Sequence, residues 1–298
     1  MEVNLHRIGQ VVTYIEEHLK SPLRLDDIAR VSGISPYYLH HIFRSLTGCP
    51  LGQYIRSRKL SQSIGELLNT QMSLLDIAQE YGFEYQQSYS RAFKRHFAIS
   101  PAQFRRYTGA AIEITHRLDL SDLRDAGAGI LRLPVYRIKK TFHLIGIRET
   151  VSDEDNYENA TANRIGVDFF YRHADRVPHP VDASVYYGYI EDIPGSTRRA
   201  WYQPSLEVAD LTCIPPGMHG VTVPTRRYAV FTYLGCHGPE KITYRTVLDL
   251  YRVIFLDWLP RSGEQREDSF HFERIDRADC GRDYCRMDIY MPVTGLSC

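Results

Sequence analysis

The chain has 298 residues, 43% hydrophobic and 24% charged, enough apolar material for packed cores without the charge excess of a disordered chain. That length sets two domains as the starting expectation. No segment approaches the roughly 18 continuous apolar residues of a membrane span, and MEVNLHRIGQ lacks the basic-then-apolar order of a secretory signal. A cytoplasmic protein with no membrane partner is expected.

The 36 basic and 36 acidic residues cancel only in sum. Residues 1–107 hold 13 Lys and Arg against 9 Asp and Glu, a balance of +4, and the rest of the chain holds 23 against 27, a balance of −4. A basic first half points to a polyanion partner. The six cysteines, at 49, 213, 236, 280, 285 and 298, include no C-x-x-C pair. They are expected as reduced thiols, with no metal and no cofactor.

Leu5, Ile8, Val12, Ile15 and Leu19 step by three and four, the pattern of an amphipathic helix. Beyond it the sequence repeats at an offset of 49: Asp27-Ile28-Ala29 recurs as Asp76-Ile77-Ala78, and Gly33 as Gly82. With single inserted residues, Phe43 then matches Phe93 and Pro50 matches Pro101. Each copy reads as a short helix, a glycine turn and a second helix, the grammar of a helix-turn-helix. Ser73-x-x-Asp76 fits a capping box at the start of the second copy. Between the copies, Leu51 to Leu68 contains no proline and reads as one helix of 18 residues, about 27 Å long. Such a connector can set two reading heads near the roughly 34 Å repeat of B-DNA.

In the second copy Tyr89, Ala92, Phe93, His96 and Phe97 share one helical face and are expected in the core. Gln87, Arg91 and Arg95, four apart, then point outward. Glutamine pairs bidentately with adenine and arginine with guanine, while Lys94 or Arg95 can meet phosphate. In the first copy Leu39, Ile42, Phe43 and Leu46 form the buried stripe, which turns Tyr37, His41 and Arg44 outward. Neutral His41 offers one donor and one acceptor but no fork, so it discriminates bases less well than arginine. A solvated charged face is the plain alternative to base reading.

The stretch YGFEYQQSYSRAFKRHFAISPAQFRR, residues 81–106, resembles the signature of the AraC/XylS family of transcription regulators. SGISPYYLHHIFRSLTGCPLGQYIRSRKL, residues 32–60, resembles the first helix-turn-helix and linker helix of its Rob-like branch. The resemblance implies an all-α, seven-helix DNA-binding domain over residues 1–107, double-stranded promoter DNA as partner, and base reading by Gln87 and Arg91. At position 41, where that branch often carries arginine, this chain has histidine. RNA polymerase is a further candidate partner.

Residues 108–133 mix Gly109, Gly127 and Gly129 with HRLDLSDLRDA and read as a linker holding a short helix. From 134 to 298 the pattern becomes strands rich in β-branched and aromatic residues, at 135–150, 183–192, 226–235 and 285–293. Two helices interrupt them, near 156–173 and 239–258. The second carries Tyr244, Val247, Tyr251, Ile254 and Trp258 along one face. An α+β domain with a mainly antiparallel sheet is expected. Tyrosines gathered on strands beside acids either pack the sheet or line a pocket for flat cationic molecules.

YLGCHGPEKITY (233–244), WLPRSG (258–263), FERID (272–276) and MDIYMPV (287–293) together resemble the GyrI-like effector-binding domain. The resemblance implies a duplicated β-α-β-β fold around a concave groove that takes a small cationic or aromatic effector beside an acid. The family's acids fall on Glu273 and Asp288, and its pocket aromatics on Tyr187, Tyr233 and Trp258. The chain is thus expected to be a sequence-specific DNA-binding transcriptional regulator with a small-molecule effector, not an enzyme, acting as a monomer or homodimer. The alternatives are a later domain that hydrolyses reactive small molecules, with a glutamate activating water, or one that serves only as a protein-interaction module.

Overall fold

The computed structural model describes residues 5–106, 112–127 and 129–294. The chain divides into two compact units, one over Leu5–Ser121 and the other from Asp122 onward.

The first unit is helical: α1 (Leu5–Glu17), α2 (Leu25–Ser32), α3 (Pro36–Thr47), α4 (Leu51–Gln62), α5 (Ile64–Asn69), α6 (Leu74–Glu80), α7 (Gln86–Phe97) and α8 (Pro101–Arg106). The repeat in the sequence is a repeat in structure. α2 is capped by Gly33 and α6 is followed, after Tyr81, by Gly82, at φ of 63° and 74°, a left-handed conformation that glycine adopts without Cβ strain. The first copy buries Leu39, Ile42, Phe43 and Leu46, α1 buries Ile8, Val12 and Ile15, and the second copy buries Tyr89, Ala92, Phe93 and Phe97 with Ile77 and Leu67. The capping box forms: Ser73 Oγ accepts from the Asp76 amide and Asp76 Oδ2 from the Ser73 amide. His96 departs from the expected core. It is exposed, with Nε2 3.3 Å from Thr115 Oγ1.

The connector is not one uninterrupted helix. It breaks at Ser63, whose hydroxyl donates back to the Leu60 carbonyl at 2.8 Å and lies 2.9 Å from the Tyr89 hydroxyl. A side chain that bonds its own preceding turn competes with the backbone ladder. Beside the break, buried Lys59 donates to the Ser21 carbonyl at 2.8 Å and the Tyr81 carbonyl at 3.0 Å, so α4 ties the loop after α1 to the turn after α6.

One position separates the copies. α3 is capped by Gly48 at φ 73°, whereas α7 is capped by Ala98 at φ 60°, where a Cβ is strained. Ala98→Gly is expected to stabilise this unit by about 1 kcal/mol, read as a higher thermal midpoint. An unchanged or lower midpoint contradicts the strain.

The expected linker behaves as three pieces. Residues 107–111 lie outside the described set. Residues 112–121 run as a strap tied to the helices: the Thr115 amide donates to Ser61 Oγ at 2.9 Å and the Leu118 amide to the Tyr54 hydroxyl at 2.9 Å. Arg117 reaches Thr13 Oγ1 at 3.2 Å, and Arg58, ion-paired with Glu16 at 2.6 Å, also donates to the Thr115 carbonyl. The third piece is sheet, not linker or short helix, because Leu123, Ala126, Ile130 and Leu131 are buried in paired strands.

The second unit carries β1 (Leu123–Ala126), β2 (Gly129–Lys139), β3 (Phe142–Gly146), β4 (Glu149–Ser152), α9 (Asp153–Asn159), α10 (Thr161–Arg172), β5 (Val185–Asp192), β6 (Arg199–Val208), β7 (His219–Val223) and β8 (Arg226–Gly235). After a short 3-10 turn come α11 (Tyr244–Tyr251), a π-helical stretch Arg252–Trp258 and α12 (Leu259–Ser262). β9 (Gln265–Arg266), β10 (Phe270–Asp276) and β11 (Cys285–Thr294) complete it. The main path of the sheet is β1-β2-β8-β11-β10-β5-β6-β3-β7, with β4 on β6 and β9 on β11, and its pairings are antiparallel.

Strand alternation sorts this sheet into two faces. Odd positions of β10 and β11 and even positions of β5 face the helices; the others, with Tyr187, Tyr189, Phe270, Phe272 and Tyr290, build a separate aromatic core. Among the described residues no helix is long and apolar enough to cross a membrane.

Candidate functional site

Two surfaces carry the chemistry. On the first unit, α7 follows the glycine turn and presents Gln87, Arg91, Lys94 and Arg95, all exposed and without a hydrogen-bond or ion-pair partner among the described residues. Three unpaired cations along one exposed face, with a glutamine in the first turn, leave a positively charged surface open to a partner. α3 presents Tyr37 and Arg44, both exposed, and half-buried His41, whose ring lies tilted against that of Tyr37 with centroids 4.4 Å apart.

On the second unit a cavity of about 290 Å³ lies over the helix-facing side of the sheet. Its floor is Tyr186, Tyr202, His271, Glu273 and Ile275; α9 and α10 supply one wall and α11 the other. Asn163 of α10 bridges the mouth, donating to the Ile242 carbonyl at 2.6 Å. Two glycines make room inside. A Cβ at Gly188, opposite Glu273 in the β5–β10 register, would sit 3.1 Å from Glu273 Oε2, and one at Gly166 would sit 2.6 Å from the Tyr186 hydroxyl.

Glu273 is 8% exposed and has no cationic partner among the described residues. Its Oε1 accepts from the Tyr251 hydroxyl at 3.2 Å, and that hydroxyl also lies 2.7 Å from His271 Nε2. Burial raises its pKa to about 7, against the smaller opposing effect of the Tyr251 hydrogen bond. His271 is pushed down to about 3 by burial and then by the Arg266 charge, so its ring is neutral. Tyr186 and Tyr202, hydroxyl to hydroxyl, are held neutral by burial above all. The rim is acidic: Asp153, Asp192 and Glu240 line it, with Arg277 stacked on Phe170 at 4.2 Å. No His, Cys, Asp and Glu cluster suited to a metal ion occurs among the described residues.

Of the five residues expected at the pocket, Glu273 lines it and four lie elsewhere. Tyr187 and Asp288 sit on the opposite sheet face by strand parity. There the Tyr187 hydroxyl donates to Glu207 at 2.5 Å, and Asp288 has its own counter-charge in Arg286 at 3.2 Å and a hydrogen bond from Thr232 at 2.7 Å. Tyr233 faces the helices but is sealed in the core, 3.0 Å from His237 Nε2. Trp258 packs edge-on to Phe231 at 5.0 Å. It was placed on the Tyr251 face by a 3.6-residue period, and the π-helical turn between them breaks that period. Tyr187, Tyr233, Trp258 and Asp288 thus lie outside the lining of this cavity. Tyr186, Tyr202, Tyr251 and His271 are the lining residues the sequence reading missed.

A family model described as "Helix-turn-helix domain" matches residues 28–107, and one described as "GyrI-like small molecule binding domain" matches residues 137–294. The transcriptional regulator Rob of Salmonella typhimurium is 30% identical over 234 residues, covering 76% of this chain and 78% of that protein. The HTH-type transcriptional activator AarP of Providencia stuartii is 41% identical over 98 residues, 33% of this chain and 73% of that protein. The right origin-binding protein of Escherichia coli is 43% identical over 99 residues, 33% of this chain and only 34% of its own length.

Proposed function

Since the chain belongs to the Rob-like AraC/XylS transcriptional regulators that carry a GyrI-like small-molecule binding domain, we propose that α7 and α3 read promoter DNA and that the cavity over Glu273 senses an aromatic cation. Glu273 carries the second half of this reading. A carboxylate buried without a counter-charge costs several kcal/mol, which protonation, water or a cation must offset. A flat cation brings that charge to the floor and its aromatic body to Tyr186, Tyr202 and Phe170, where cation–π contacts add about 0.5–2 kcal/mol each. The acidic rim draws the same class of ligand. One chain carries both reading heads, so a monomer suffices for DNA.

The ligand reading is tested with 1-benzylpyridinium and its neutral isostere diphenylmethane, titrated by calorimetry at pH 8. The cation binds more tightly; equal affinities contradict the reading. For DNA, Arg91→Ala is expected to cost about 1–3 kcal/mol on a specific site and relax preference at one base position. Lys94→Ala weakens all sequences alike and flattens the salt dependence. Equal, sequence-blind losses from both contradict base reading by Arg91.

A further inference from the structure

The mouth of the cavity already holds a planar cation, and it is one of the protein's own side chains. Arg277 opens the short 3-10 turn Arg277–Asp279 after β10 and lays its guanidinium 4.2 Å from the ring centre of Phe170 and 5.8 Å from that of Tyr171. Its Nη2 lies 3.9 Å from Glu240 Oε1. All four residues line the cavity that has Glu273 on its floor. Two aromatic rings beside a carboxylate attract a delocalised cation whether it comes from an arginine or from a ligand. The chemistry of the floor is thus repeated at the mouth.

Arg277 is held there loosely. Its ion pair with Glu240 is longer than a hydrogen bond and the two side chains are 37% and 48% exposed, a combination that contributes little. The backbone beneath is fixed: the Arg277 amide donates to the Ser184 carbonyl at 3.0 Å, and the Cys280 amide to the Arg277 carbonyl at 3.1 Å. Only the side chain has to swing into solvent to free the rings. We propose that Phe170, Tyr171 and Glu240 form an outer cation subsite, that Arg277 holds it as a built-in competitor, and that the effector is a dication whose second charge displaces Arg277. A ligand whose one charge is spent at Glu273 has no cation to set against Arg277; one with a second cationic ring takes over both of its contacts. Asp153, on the same rim and without an ion pair among the described residues, adds to the pull on that second charge. This inference rests on the reading that Glu273 takes the first cationic group.

Calorimetry at pH 8 tests it with 1-benzylpyridinium and its two dicationic extensions, which carry a second pyridiniomethyl group meta or para on the benzyl ring. In Arg277→Gln the better dication is expected to gain about tenfold in affinity and 1-benzylpyridinium about twofold or less. Removing a positive charge favours every cation to some degree, so the rings supply the control. In Arg277→Gln/Phe170→Leu the dication-to-monocation ratio is expected to fall back close to that of the unaltered protein. A ratio that Arg277→Gln leaves unchanged, or one that stays raised with Phe170→Leu present, overturns the outer subsite and leaves the Glu273 reading standing. Failure of 1-benzylpyridinium and both dications to bind overturns the Glu273 reading and this inference with it.

Discussion

Glu273→Gln is expected to stabilise the effector unit by about 3 kcal/mol at pH 8 and by almost nothing at pH 4. In the folded protein burial lifts this carboxyl from an ordinary 4.5 to about 7. Between those values the native state keeps a proton that the unfolded chain releases, so stability falls as pH rises through the window. Above pH 7 the native state holds an uncompensated buried charge. Glutamine conserves the shape and removes the charge, and with it the pH dependence. Both tryptophans, Trp201 and Trp258, belong to this unit, so its denaturant unfolding can be followed by their fluorescence in the full-length protein. Parallel pH profiles for the two proteins contradict the assignment. The analogous change at Asp288, which already faces Arg286, should leave ligand preference untouched.

Ending the first unit at Arg106 instead of Ser121 is expected to cost it about 2–3 kcal/mol, although the helices remain complete. The strap beyond 111 satisfies Arg58, Tyr54 and Ser61 of the connecting helix and reaches Thr13 of α1. Its removal breaks several net-favourable hydrogen bonds and uncovers the Arg58–Glu16 pair, whose side chains are 11% and 17% exposed. Chemical denaturation of the two fragments measures the difference. Equal midpoints show that the strap contributes nothing, and a boundary near Thr108 is then sufficient.

The helical half was the more legible in sequence, because its signals are local. The D-I-A repeat, the turn glycines and the Ser73–Asp76 box each act within one or two helical turns. Ser63 shows the limit: a serine inside a good helical run gives no sign that its hydroxyl will turn back on Leu60. In the effector half the pocket depended on strand register, which no single strand encodes. In VYYGYIED a choice between Tyr186 and Tyr187 is a choice of sheet face, decided by Gly188 lying opposite Glu273. Strand β6, with Pro204 at its centre, reads poorly as a strand and supplies Tyr202. Trp258, which the GyrI-like resemblance puts at the pocket, shares a helical face with Tyr251 only on a 3.6-residue period, and the π-helical turn that breaks this period leaves no mark in the spacing of apolar residues.

The central claim is that the charge of Glu273 selects the effector, and the pH dependence of cation binding tests it most directly. A cation pairs with the ionised carboxylate, so below pH 7 it must first displace a proton. 1-Benzylpyridinium is therefore expected to bind about tenfold more weakly at pH 6 than at pH 8, while diphenylmethane is indifferent to pH. In Glu273→Gln the cation should bind weakly and equally at both. A cation affinity that does not change between pH 6 and 8, or one that changes identically in Glu273→Gln, would contradict the account.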